Sequence, residues 1–277
     1  MSIELGKFNT LEVVKTVDFG VYLDGKEEGE ILLPTRYVPE NCVPGDLLNV
    51  FLYLDNEERL IATTLTPLVQ VGEFACLEVA WVNEFGAFLN WGLMKDLFVP
   101  FREQKMKMQV GKSYVVHAHI DEESYRIVAS AKIERYLSKE TPTYQAGAEV
   151  DILIWQKTDL GFKAIIDQQF PGLLYDSEIF QSLRTGMTLK AFVKQVRPDG
   201  KIDLILQKPG AAKVDDFASS LLDYIKEHGG AVKLNDKTPA DDIYQIFGVS
   251  KKTFKKAVGD LYKIHLIVLT DNGLKLA

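Results

Sequence analysis

Three glycines recur in a fixed register along the 277-residue chain. Gly6, Gly20 and Gly45 return as Gly72, Gly86 and Gly111, and again as Gly147, Gly161 and Gly186. In every copy the second glycine follows the first by 14 residues and the third follows the second by 25. Two spacings held three times are the signature of a repeated structural unit. The flanks agree as well: Phe19-Gly20-Val21-Tyr22-Leu23 matches Phe85-Gly86-Ala87-Phe88-Leu89 and, more loosely, Leu160-Gly161-Phe162-Lys163-Ala164.

The second copy shows what the unit is. Cys76–Val82, Phe85–Trp91, Leu97–Val99, Tyr114–Ile120 and Tyr125–Ala131 are five short runs rich in Val, Ile, Phe and Tyr, punctuated by Gly, Asn and Asp. This is strand grammar of period two, with Asp121-Glu122-Glu123-Ser124 as the polar turn of the last hairpin. Five strands in so short a unit hide their edges by closing into a barrel. The glycine after Phe19, Phe85 or Leu160 is expected where a strand bends or packs closely on its neighbour. Domains are expected at 1–68, 69–140 and 141–210, the third a degenerate copy.

After Lys208-Pro209-Gly210 the apolar period changes from two to that of a helix. Asp215-Asp216 precedes an amphipathic helix that carries Phe217, Leu221, Leu222 and Ile225 and stops at His228-Gly229-Gly230. A short second helix runs from Pro239 to Phe247, Gly248-Val249 turns, and Ser250 caps a third helix whose Phe254, Val258 and Leu261 share a face. Leu266–Leu269 and Leu274–Leu276, joined by Thr270-Asp271-Asn272-Gly273, then read as a hairpin. Residues 211–277 therefore follow the order of a winged helix-turn-helix. Its third helix, in the recognition position, carries Lys251, Lys252, Lys255 and Lys256, with Lys263 just past its end.

The ring-flanked glycines, followed by Leu32-Leu33-Pro34 or Phe98-Val99-Pro100 and then by Arg59-Leu60-Ile61-Ala62-Thr63 or Arg126-Ile127-Val128-Ala129-Ser130, resemble the S-one RNA-binding domain. That domain is an oligonucleotide-binding (OB) fold repeat, and the resemblance covers residues 1 to 208 in two strong copies and one loose one. Together with the tail, the chain resembles the bacterial conserved virulence factor B family, whose members are described as RNA-binding proteins with tandem S-one domains and a winged helix. The fold expected is mostly β with a C-terminal α/β unit: three tandem five-stranded OB-fold barrels followed by a winged helix-turn-helix.

The resemblance also implies site residues. Unpaired RNA is held by stacking bases on aromatic rings and by steering phosphates with Arg and Lys. The ring positions fall on Phe19 and Tyr22 in the first copy and on Phe85 and Phe88 in the second. The strand-five arginine falls on Arg59 and Arg126, with Lys201 in its place in the third copy. Two departures stand out. Many S-one domains carry a histidine near the end of strand three, where this chain has Pro34, Pro100 and Tyr175, and the third copy replaces the two rings by Leu160 and Lys163. There Phe162, Tyr175 and the basic residues Lys163, Lys190, Lys194, Arg197 and Lys201 are the available substitutes. Beside the lysine-bearing helix they are expected to form one basic track.

The formal net charge of −7 argues against a nucleic-acid binder only as an average. Residues 1–70 hold 5 Lys or Arg against 12 Asp or Glu, whereas 71–146 hold 9 against 10, 147–210 hold 8 against 8, and 211–277 hold 10 against 9. The excess sits in the first copy, which is a candidate face for a protein partner. The other segments are free to present basic patches.

Catalysis has no candidate constellation. The sequence holds no Walker-type phosphate loop, no Gly-x-Ser-x-Gly and no His-Glu-x-x-His. His117 and His119 lie two apart on a predicted strand and share a face, but without Cys or clustered carboxylates nearby they read as a solvated strand face and not as a metal site. Cys42 and Cys76 read as buried small apolar residues. No enzyme activity, cofactor or metal is expected. The N-terminal segment has neither a basic start nor an apolar run, and no stretch approaches the ~18 apolar residues of a membrane span, so the expectation is a cytoplasmic protein without a membrane partner. Two functions remain. One is an RNA-binding regulator, post-transcriptional or of virulence genes, that handles single-stranded or structured transcripts. The other is a DNA-binding transcription regulator that works through the winged helix and uses its barrels to meet proteins. The ring pairs favour the first, because stacking requires unpaired bases.

Overall fold

Alternating apolar runs close into three five-stranded barrels of one topology. In the computed structural model, which describes residues 3–179, 182–206, 212–263, 265–270 and 273–277, the chain divides into two compact units. One is Met1–Ser138 with Thr185–Met187 and the other Lys139–Arg184 with Thr188–Ala277. Barrel one comprises β1 (Phe8–Val17), β2 (Gly20–Asp24), β3 (Glu30–Pro34), β4 (Leu47–Leu54) and β5 (Leu60–Thr63). Barrel two repeats it with β6 (Phe74–Val82), β7 (Gly86–Asn90), β8 (Leu97–Pro100), β9 (Ser113–Ile120) and β10 (Ile127–Ser130). In the second unit, barrel three consists of β11 (Glu149–Thr158), β12 (Gly161–Ile166), β13 (Phe170–Tyr175), β14 (Thr188–Val196) and β15 (Ile202–Ile205). In each, strands three and five pair in parallel and the other neighbours run antiparallel, which closes the OB-fold barrel.

The recurring glycines are where the barrels close. Gly6, Gly72 and Gly147 adopt φ of 77°, 93° and 86° and donate their N–H to the carbonyls of Leu52, Ala118 and Val193 at 2.7–2.8 Å. Those acceptors are offset along the chain as the glycines are. Gly20, Gly86 and Gly161 face Pro34, Pro100 and Tyr175 across the second and third strands. A Cβ there would strike the carbonyl of Leu33, Val99 or Leu174, so only glycine allows the strands to approach so closely.

A second shared device is a bulge in the first strand of every barrel. The register slips between Val13 and Lys15, between Val79 and Trp81, and between Ile154 and Gln156. Strict alternation would send Trp81 inward with Leu77 and Val79. The extra residue turns it outward.

Within the first unit the two barrels share a core. Phe51 and Tyr53 of β4 join the buried cluster of barrel two, with Phe51 edge-on to Trp91 at 5.7 Å. Cys42 and Cys76 are half-buried free thiols, not the fully buried residues expected, and burial raises the pKa of both.

The tail folds as expected into three helices and a hairpin, with one addition, and its first helix starts at Ala212, so that Asp215 and Asp216 lie within it and not before it. Helices α1 (Ala212–Glu227), α2 (Ala240–Phe247) and α3 (Lys251–Lys263) pack around Leu221, Ile225, Ile243, Phe254 and Leu261. Gly248 ends α2 at φ 67°, donating its N–H to the Tyr244 carbonyl. The Ser250 Oγ then accepts from the Thr253 N–H at 3.2 Å and caps α3. Strands β17 (Ile267–Thr270) and β18 (Gly273–Leu276) are joined by β16 (Ala231–Val232), in the order β16-β18-β17. β16 was not expected, because two residues are too few to show alternation. The Lys208-Pro209-Gly210 boundary and the Asp271-Asn272 turn lie outside the described residues. Among the described residues no helix is long and apolar enough to cross a membrane.

Candidate nucleic-acid interface

Barrel two gathers the rings. Across the β6–β7 ladder Trp81 is the direct partner of Phe88, and the bulge that turns Trp81 outward lets the two rings stack at 3.6 Å between centroids and 3° between planes. Phe98, the β8 partner of Phe88, lies behind it at 4.8 Å. Trp81 donates its Nε1–H to Asp96 at 2.8 Å, which sets the indole plane, and remains 44% exposed. Phe85 stands beside them, 64% exposed. Of the predicted pair, Phe85 is exposed while Phe88 is half-buried between Trp81 and Phe98, two rings that alternation did not assign to the surface.

These rings form one wall of a cleft of about 730 Å³ within the first unit. The β4–β5 hairpin of barrel one, with Asn56 and Glu58, forms the other wall. Lys95, at the base, donates to the Asp55 carbonyl at 2.7 Å, and burial pulls its pKa below the usual lysine range. A recess of about 380 Å³ adjoins it, lined by Phe85, Phe98, Phe101 and Arg126. Arg126 is held by Glu58 of barrel one, its Nε and Nη2 both on Oε2, at 2.6 and 2.5 Å. A carboxylate thus occupies the group expected to meet phosphate.

Barrel one repeats the arrangement with fewer rings. Phe19 is 57% exposed and meets Tyr22 edge-on at 6.3 Å. Lys15 takes the place of Trp81 and lies over the Tyr22 ring at 4.7 Å. Arg59 is tied to Asp55 at 2.8 Å and to Glu57 at 2.9 Å in its own hairpin.

The basic track expected on barrel three is instead a set of ion pairs. Lys190 meets Asp151 at 2.8 Å, Lys194 meets Glu178 at 2.6 Å and Lys201 meets Asp199 at 2.8 Å. Arg197 grips Asp203, which is only 3% exposed, at 2.9 Å and also donates to the Tyr175 hydroxyl. That arginine neutralises a buried carboxylate, as burial of a charge requires. Lys157 covers Phe162 at 4.4 Å and Arg197 lies over Tyr175 at 5.8 Å, so the substitute rings are capped by cations from their own barrel, and Lys163 reaches over the buried Trp155 at 5.0 Å.

The lysines of α3 differ. Phe254, Ala257 and Leu261 are buried, while Lys252, Lys255 and Lys256 project from the opposite face. Among the described residues no carboxylate lies within 4 Å of Lys251, Lys252, Lys255 or Lys256, and Lys263 meets Asp260 at 3.9 Å.

His117 and His119 are not a solvated face. The segment after β10 lays Tyr136 over them, stacked on His117 at 4.1 Å, with its hydroxyl 3.2 Å from His119 Nε2. Burial, with His119 beside it, holds the His117 pKa down at about 4, and burial lowers that of His119 as well. Among the described residues no group of three or more His, Cys, Asp or Glu could hold a metal ion.

The amino-acid sequence has known relatives. Family models of an S1 domain and of a CvfB-like winged helix domain match residues 5–65 and 219–276. The chain is 30% identical over 273 residues to the Bacillus subtilis protein YitL, itself uncharacterized, covering 95% of this chain and 90% of that one. It is 21% identical over 281 residues to conserved virulence factor B of Staphylococcus haemolyticus, covering 97% and 93%. A solved multidomain protein with nucleic acid binding domains from Streptococcus pneumoniae aligns over 99% of this chain and 98% of its own, at 24% identity and a TM-score of 0.44.

Proposed function

The chain belongs to the conserved virulence factor B family, and from that premise we propose that it binds RNA, preferring single strands, and regulates gene expression after transcription in the bacterial cytoplasm. It does so without catalysing a reaction. Virulence genes are the regulatory context that the relatives' name suggests. The observation that carries this reading is the outward stack of Trp81 on Phe88, with Phe85 beside it, in a cleft that also holds Arg126. Flat exposed rings hold unpaired bases through their π-faces, which a duplex keeps hidden inside its own stack. Arg126 supplies a cation to the phosphate chain once that chain displaces Glu58 from it.

Titration of the full chain with oligo-U, oligo-dT and duplex DNA at one salt concentration tests the reading. Tighter binding of oligo-U than of either DNA, together with its loss in Trp81→Ala, is the expected outcome. Preference for the DNA duplex would replace this reading by that of a DNA-binding regulator acting through α3. The lysines of α3 that have no carboxylate partner among the described residues favour that second reading.

A further inference from the structure

Asp96 sits at the rim of the ring stack with one oxygen unused. Its Oδ2 accepts the Trp81 Nε1–H, while among the described residues nothing meets Oδ1 and no Lys, Arg or His lies within 4 Å of the carboxylate. The matching places of barrel one hold Lys15 and Glu30, which form an ion pair. There a cation neutralises the carboxylate; in barrel two the indole gives it one N–H and no charge. A bare carboxylate beside an open ring repels phosphate, so it disfavours RNA in general. That cost is offset only where the stacked base itself donates to the carboxylate.

The bases differ in what their edges present. The Watson–Crick edge of guanine carries two adjacent donors, N1–H and the N2 amino group. Uracil carries a single N–H between two carbonyl oxygens, and adenine and cytosine each set one amino group beside a ring nitrogen with a lone pair. A carboxylate only accepts, at about four lone-pair sites, so Oδ2 can keep the indole N–H while Asp96 receives two more donors. Uracil, adenine and cytosine would turn an acceptor toward it. We propose that the outward face of Trp81 takes a guanine and that Asp96 selects it, accepting from N1–H and the N2 amino group while its bond to Nε1 fixes the ring beneath. This inference rests on the reading of barrel two as a platform for unpaired bases and adds which base the platform prefers.

Uridine heptamers with guanosine, inosine, adenosine or cytidine at the centre, titrated beside oligo-U against the full chain at one salt concentration, test it. The guanosine heptamer is expected to bind about tenfold more tightly than the adenosine and cytidine heptamers or oligo-U. Inosine, which lacks only the N2 amino group, should lose most of that advantage. Asp96→Asn keeps an oxygen for the Trp81 N–H but replaces the free acceptor by a donor. It should shrink the preference to about twofold or less and leave oligo-U bound at least as tightly. Equal binding of all five by the wild type would overturn the proposal, as would a guanosine preference that survives either inosine or Asp96→Asn. Those failures leave the platform standing if Trp81→Ala still loses oligo-U. Insensitivity of every heptamer to Trp81→Ala would instead remove the platform, and the inference with it.

Discussion

Barrels two and three share topology, glycine register and first-strand bulge, yet at matching positions they carry opposite chemistry. Trp81, Phe85, Phe88 and Phe98 of barrel two correspond to Gln156, Leu160, Lys163 and Leu173 of barrel three. Arg126 of barrel two is held by Glu58 and its counterpart Lys201 by Asp199, while barrel three adds Arg197, anchored on the buried Asp203. The features that close the barrel constrain glycines and inward side chains only. The outward positions are left free, and there one copy became a ring platform and the other a lattice of ion pairs.

Four measurements test that contrast. The largest effect is expected on stability in barrel three. Arg197→Ala leaves Asp203 buried without its cation and should cost about 3 kcal/mol in urea unfolding, the low end for a broken buried pair because Arg197 is itself 34% exposed. RNA affinity of the folded protein should stay the same; a fall in affinity without destabilisation would make Arg197 a ligand and erase the contrast.

Next, Trp81→Ala should cost about 2 kcal/mol of oligo-U binding, the middle of the range for one base stacked on one ring, while Gln156→Ala at the matching place should leave it unchanged. Equal losses would mean that both barrels bind alike.

Acid should affect barrel two in particular, since His117 stands where barrel three has Phe192. With a folded pKa of about 4 against the ordinary 6.5, the unfolded chain takes up a proton between those values that the folded chain refuses. The contribution is therefore complete above pH 6.5 and is lost as pH falls toward 4, on the order of 2 kcal/mol after allowance for partial solvent contact. Thermal midpoints measured across that window should fall, and His117→Phe should flatten the fall; an unchanged slope would show that the histidine titrates normally.

The smallest effect concerns the Glu58–Arg126 pair. Both side chains are partly exposed, so the pair is worth less than about 1 kcal/mol. Glu58→Gln should free Arg126 and tighten oligo-U binding a few fold, whereas weaker binding would show that Glu58 positions the arginine for the ligand.

Much of the fold was legible because its signals are local and repeated. Glycine at matched spacings, alternation and a Ser250 cap each act within a few residues. The ring at Trp81 was not legible, since period two assigns it to the core and only the bulge at the preceding residue reverses that. Asp203 was equally hidden: it lies between Ile202 and Leu204, and all three are buried, so nothing in the pattern tells that Arg197 is spent on neutralising it.

From the amino-acid sequence alone follow three barrels, a helical tail in winged-helix order, and the ring pairs Phe19–Tyr22 and Phe85–Phe88. These depend on backbone conformation and on which face a side chain takes, and both are set by near neighbours in the chain. Which charges are available is set by folding in three dimensions. Glu58 reaches Arg126 from another barrel, Asp203 claims Arg197 from beneath, and among the described residues no carboxylate meets Lys251, Lys252, Lys255 or Lys256 of α3. Charge acts through space over several ångströms, between groups that the sequence holds far apart, so its partners are chosen by folding and not by order along the chain.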